Sequence, residues 1–171
     1  MRRIIIIGPE SSGKTTLCKQ LSEHFKTFFI REYARDYINN LDRDYNKKDL
    51  LEIAKGQLKL EKNNKNEKLI FCDTDIITIK IWSEYKYGNC HPFILKQIEK
   101  QKSEGRIYLL CKPDIRWEVD SQRENPNNRE ELFEIYKSEL KKLEVDYFVV
   151  YGKYRMKNSI SKISRLVTNI Y

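Results

Sequence analysis

The stretch "RIIIIGPESSGKTT" (3–16) constrains this chain more than any other. Four consecutive isoleucines leave no polar face, so the strand they form must be buried on both sides, as parallel sheets require. The residues that follow fit GxxxxGK[ST]. In that spacing a glycine-framed loop turns its N–H groups inward, and the next helix aims its positive end at the same point. Gly8, Glu10, Ser11, Ser12, Gly13, Lys14, Thr15 and Thr16 are therefore the expected grip on ATP. Lys14 would reach the β- and γ-phosphates, and the Thr15 hydroxyl would face Mg²⁺.

The rest of the chain alternates in the same style. Strands are predicted at 3–7, 28–30, 69–72, 107–111 and 147–150, separated by amphipathic helices. Leu17, Leu21 and Phe25 mark one helical stripe, and Leu50, Ile53, Ala54 and Leu58 a second. Leu132, Phe133, Tyr136, Leu140 and Leu143 mark a third, and Met156, Ile160, Ile163, Val167 and Ile170 the last. The pattern predicts an α/β fold of three layers: a parallel five-stranded sheet flanked by helices, with right-handed crossovers. At 171 residues with no compositional break, one domain over 1–171 is expected. The polar, proline-bearing segment 112–130 breaks both periodicities directly after a strand and reads as a short lid.

Charge and cysteines narrow the partners. The net charge of +8 raises the question of nucleic acid, but the lysines between Lys47 and Lys68 interleave with apolar positions at helical spacing and read as a solvated helix face. Nucleic acid is not expected as the main partner. Cys18, Cys72, Cys90 and Cys111 form no CxxC pair and only two histidines accompany them, which argues against a zinc site. No apolar run is long enough to span a bilayer, so no membrane partner is expected and the cytoplasm is the default compartment.

Acidic groups should complete the phosphate site. "LIFCDTD" ends a strand with Asp73, the expected metal-site carboxylate, and Asp75. Two residues apart in extended chain, both carboxylates share a face. Asp75 then either holds the acceptor hydroxyl or caps the helix of "IITIKIW". After the second strand, "REYARDYI" offers Glu32, Tyr33, Arg35, Asp36 and Tyr37. On a helix the two tyrosines would share one face, suited to a flat hydroxylated ligand; the alternative is a capped helix start with salt bridges. Glu32 or Asp75 would orient the acceptor hydroxyl. In the lid, Arg123 or Arg116 would close over the phosphates, while Trp117 covers the adenine, covers the acceptor, or anchors the loop. The DxxG and NKxD pattern of a GTPase is missing after Asp73, and the chain is too short for a ring-forming motor with its helical lid domain. A compact kinase remains.

"GPESSGKTTL", "EYARDY", "CDTDIITIKIWSEYKYGNCHPF" and "LLCKPDIRWEVDSQREN", in this order, resemble the ribosylnicotinamide kinase domain of NadR-type proteins. The resemblance runs from residue 3 to about 150. It implies transfer of the γ-phosphate of ATP to the ribose 5′-hydroxyl of nicotinamide riboside. It carries Gly13, Lys14 and Thr15 over as ATP contacts, Asp73 as a metal-site carboxylate and Arg123 as a lid arginine. The chain departs from the family at Arg31, where members carry tryptophan.

Overall fold

The computed structural model describes residues 2–63, 68–118, 125 and 127–167. The isoleucine run forms β1 (Arg2–Ile7), the middle strand of the sheet. It is joined by β2 (Phe29–Ile30), β3 (Leu69–Asp73), β4 (Ile107–Cys111) and β5 (Asp146–Val150). The order is β2-β3-β1-β4-β5 and every pairing is parallel. The strand expectations hold to within one residue at each end.

Seven helices connect the strands among the described residues: α1 (Lys14–His24), α2 (Tyr33–Asn39), α3 (Lys47–Asn63), α4 (Ile76–Tyr87), α5 (Pro92–Lys102), α6 (Arg129–Lys142) and α7 (Arg155–Val167). The alternation along β1 sorts them into two layers. Ile5 and Ile7 enter the core shared with α3, α4 and α6; Ile4 and Ile6 enter the core shared with α1 and α7. All four are fully buried, and each burial contributes about 1.5–3 kcal/mol. The helix after β1 thus lies on one face and the helices after β3 on the other. Between these two strands the chain reverses direction across the sheet, which opens a crevice at their carboxyl ends. The phosphate loop and Asp73 sit at that crevice.

Candidate active site

The loop after β1 is built by close approach. Gly8 has φ +142°, and a Cβ there would stand 2.6 Å from the carbonyl oxygen of Cys111 on β4. Gly13, at φ +80°, ends the loop in a left-handed conformation directly before α1. The Ser12 hydroxyl and the Lys14 ammonium both donate to the Pro9 carbonyl, at 2.7 and 2.8 Å. Loop residues 8–16 line a cleft together with Glu32, Ala34, Arg35, Thr78, Trp82, Ile115, Glu118, Leu132 and Tyr136. The predicted grip and the predicted acceptor-side residues Glu32 and Arg35 therefore share one space.

Two acids face the loop. Asp73 is 2% exposed; burial raises its pKa, opposed by a hydrogen bond from the Thr15 hydroxyl and by the charges of Lys14 and Arg35. Its Oδ1 has no hydrogen-bond partner in the protein. A buried, unpaired carboxylate oxygen beside a threonine hydroxyl fits a hard divalent cation such as Mg²⁺, which takes few protein ligands and keeps its waters. Glu32 is the N-cap residue of α2 and partly open to the cleft. Burial against the cleft wall pushes its pKa up to about 7; Lys14 and Arg35 oppose the shift, and Asp73 and Glu10 add to it.

Asp75 requires a correction. Strand β3 stops at Asp73, and Thr74 takes φ +73°, so the two-residue alternation ends before Asp75. Asp75 caps α4 instead: one oxygen accepts from the Ile77 N–H at 2.9 Å, the other from the Tyr108 hydroxyl at 2.9 Å. Arg106 lies 3.7 Å away and pairs with Glu61 at 2.6 Å. Asp75 is fully buried in this charged cluster, outside the cleft lining. The capping alternative is the one that applies.

The aromatic face predicted on α2 forms, but it points elsewhere. The rings of Tyr33 and Tyr37 lie 6.1 Å apart, packed toward α3. Tyr33 covers Gly56, and the Tyr37 hydroxyl donates to Asp49 at 3.0 Å. Asp36 is exposed and outside the cleft lining. Trp117 stacks with the Arg129 guanidinium, 5.6 Å from its ring centre, as a loop anchor. Arg116 is exposed, and Arg123 lies outside the described residues.

Sequence reasoning missed two arginines that tie distant elements to the loop. Arg129, at the start of α6, donates to the carbonyls of Ser11 and Ile115 at 3.2 and 3.0 Å. Arg155, at the start of α7, donates to the Ser12 carbonyl at 2.7 Å and pairs with Asp114. Two backbone groups farther along the chain bond the loop as well: the Glu118 N–H donates to the Ser11 hydroxyl, and the Asn125 N–H to Glu10. Trp82, Thr78 and Tyr136 in the cleft wall were also missed. Thr78 and Trp82 stand four apart on α4, a spacing that signals a shared face without saying what it faces.

Among known proteins, the trifunctional NAD biosynthesis/regulator protein NadR of Salmonella typhimurium is 28% identical over 129 residues, covering 72% of this chain. The chain spans about a third of that relative's length (31%). A NadR protein solved with NAD and AMP-PNP, and again with NR, superposes with a TM-score of 0.71 at 19% and 20% identity. The match covers 96% of this chain and 49% and 51% of the other. A deoxyadenosine kinase from M. mycoides superposes at 0.65, with 16% identity over 95% of this chain and 99% of that one. These likenesses establish the fold as that of the P-loop kinases. The sequence pattern of one family, described as AAA domain, matches residues 3–157, from the first strand through the phosphate loop to the start of α7. The chain belongs to the AAA domain family.

Proposed function

We propose that the chain is an ATP-dependent kinase that passes the γ-phosphoryl group to the ribose 5′-hydroxyl of nicotinamide riboside or a closely related nucleoside. With nicotinamide riboside the product is nicotinamide mononucleotide. The observation that carries this reading is Glu32: a carboxylate with its pKa near 7, open to the cleft and within the electrostatic reach of Lys14 and Asp73. Such a group accepts the proton of an attacking hydroxyl at neutral pH. As that oxygen bonds to phosphorus, the bond to the bridging oxygen breaks and ADP leaves with the electron pair. Lys14 and the inward N–H groups of the loop stabilise the charge that gathers on the phosphates. Thr15 and Asp73 would hold Mg²⁺, whose bound charge offsets that of the phosphates. Arg35 lines the cleft beside Glu32, and Arg123 is proposed as the lid arginine. The NadR relative, named for NAD biosynthesis, and the NadR structure solved with NR support the choice of acceptor.

The test is incubation with Mg-ATP and a panel of nicotinamide riboside, adenosine, cytidine and uridine, followed by mass spectrometry. A product one phosphoryl group heavier is expected, with nicotinamide riboside preferred, and Lys14→Ala should lower kcat by about 10²–10³-fold. ATP binding with no phosphorylated product from any acceptor would replace the kinase with a nucleotide-binding regulatory protein.

A further inference from the structure

Thr74 directly follows Asp73 and takes φ +73°. A left-handed backbone brings Cβ too close to the following carbonyl oxygen, and for a β-branched residue it is a genuine outlier. Glycine would make the same turn without strain. The position is buried, so this is not the relaxed tip of an exposed loop. Strained backbone of this kind persists only where its surroundings over-determine it, and it gathers at functional sites.

Two bonds hold Thr74 in place. Its N–H donates to the Ile6 carbonyl on β1 at 2.9 Å. Its hydroxyl donates to the hydroxyl of Thr78, in the first turn of α4, at 2.5 Å. A glycine would keep the first bond and lose the second. The Thr78 hydroxyl is in turn hydrogen-bonded to the hydroxyl of Tyr136 on α6. Burial raises the Tyr136 pKa well above its usual range, so this hydroxyl keeps its proton. All three side chains are buried, and Thr78 and Tyr136 line the phosphate cleft. A line of three hydroxyls thus runs from the turn after Asp73, through α4, to α6.

Helix α6 also reaches the other side of the site. Arg129 at its start bonds the Ser11 carbonyl of the phosphate loop, and Tyr136 lies about two turns further on. One helix therefore braces both the loop that leads into Thr15 and the turn that leaves Asp73. Asp73 is hydrogen-bonded by the Thr15 hydroxyl and keeps Oδ1 without a partner. That oxygen can serve a cation only if its direction is fixed, and at the end of a strand the peptide that follows fixes it.

We propose that Thr74, Thr78 and Tyr136 are positioning residues for the metal site, their hydroxyl line holding the strained turn that keeps the free oxygen of Asp73 aimed at the Mg²⁺ accompanying ATP. This rests on the reading of Thr15 and Asp73 as the metal-site pair of a kinase, and it assigns the groups behind them that set the affinity for the metal.

The test reads metal binding without turnover. Calorimetry gives the Kd of the ATP analogue AMP-PNP with Mg²⁺ and again with EDTA, and the ratio of the two reports what the metal contributes. Thr74→Gly, Thr78→Val and Tyr136→Phe should each reduce that ratio by about tenfold or more, as loss of a group supporting a metal ligand does. Thr74→Ser keeps the hydroxyl and should restore the ratio to within about twofold. Thr74→Gly relieves the strain while it breaks the line, so its melting temperature should stay near that of the wild type. A purely structural role would lower stability and metal affinity together. The double variant Thr74→Gly, Tyr136→Phe should be no worse than either single one, because both cut the same line. An unchanged ratio in folded Thr74→Gly, a loss that Thr74→Ser does not restore, or losses that multiply in the double variant each overturn the proposal. A wild type whose affinity is the same with Mg²⁺ and with EDTA removes the metal site and the proposal with it. The expected pattern in a protein that phosphorylates no acceptor would keep the proposal while refuting the kinase reading, so the two failures are distinguishable.

Discussion

Glu32 and Asp75 are both acids at the edge of the sheet, and their surroundings give them opposite work. Glu32 keeps an opening to the cleft, and its burial outweighs the opposing charges of Lys14 and Arg35, so the group holds its proton until about pH 7. The base role proposed for Glu32 requires the ionised form, so kcat should rise with pH through about 7 and level off above it. Glu32→Gln should remove that rise and lower kcat by about 10²–10⁴-fold, read from pH–rate profiles of the two proteins. A wild-type profile that stays flat from pH 6 to 8 would take the base role away from Glu32. Asp75 is fully enclosed, and cap, hydroxyl and guanidinium occupy its oxygens. Asp75→Ala removes a helix cap and leaves the Tyr108 hydroxyl without its acceptor. Urea unfolding should show a loss of roughly 2–4 kcal/mol. The folded variant should keep its KM for ATP, whereas a rate defect without a stability loss would return Asp75 to the chemistry.

At the scale of elements, the contact between α2 and α3 decides where Glu32 stands. Gly56 lies inside α3, where glycine to alanine normally stabilises a helix by about 1 kcal/mol. Here a Cβ would meet three carbons of the Tyr33 ring at 2.1–2.4 Å, so the sign reverses. Gly56→Ala should cost about 1–3 kcal/mol in thermal or urea unfolding, and should disturb turnover by shifting α2 and with it Glu32. A stabilised variant would mean that Tyr33 swings aside freely. The same contact explains what could be read from the sequence. Ile4–Ile7 announce a two-sided strand because burial on both faces is written in the residues themselves. Lys14, Asp73 and Glu32 were legible because each follows or ends a strand at the same edge of a parallel sheet. The direction of the Tyr33–Tyr37 face was not legible, because a helix carries its stripe without naming its neighbour, and the neighbour's fit depends on a glycine well along the chain. Of the two readings of Asp75, the shared face with Asp73 fails for a local reason: the strand stops at Asp73 and Thr74 takes a positive φ, so alternation does not reach Asp75.

On the scale of the whole molecule, the phosphate loop is where distant parts of the chain meet. Arg155 brings α7 to the Ser12 carbonyl, Arg129 brings α6 to Ser11, and the N–H groups of Glu118 and Asn125 bond Ser11 and Glu10. No spacing near residue 8 could have announced these partners, since each arrives by the tertiary fold. The consequence is thermodynamic. A ligand gripped by the loop is bound only when the two helix layers that brace it are in place, so its affinity adds directly to the stability of the folded state. At a hundredfold excess over its Kd, Mg-ATP should add about 2.7 kcal/mol. For a chain of this length that corresponds to a rise in Tm of roughly 5–10 °C in a thermal melt. Lys14→Ala should abolish most of the rise while leaving the melt without nucleotide nearly unchanged, because the lysine's own bond to the Pro9 carbonyl is local to the loop. A full rise retained in Lys14→Ala would put the nucleotide somewhere other than the cleft between β1 and β3. No rise in the wild type at saturating Mg-ATP would remove the donor itself, and with it the reason for an acid of pKa near 7 to stand where Glu32 stands.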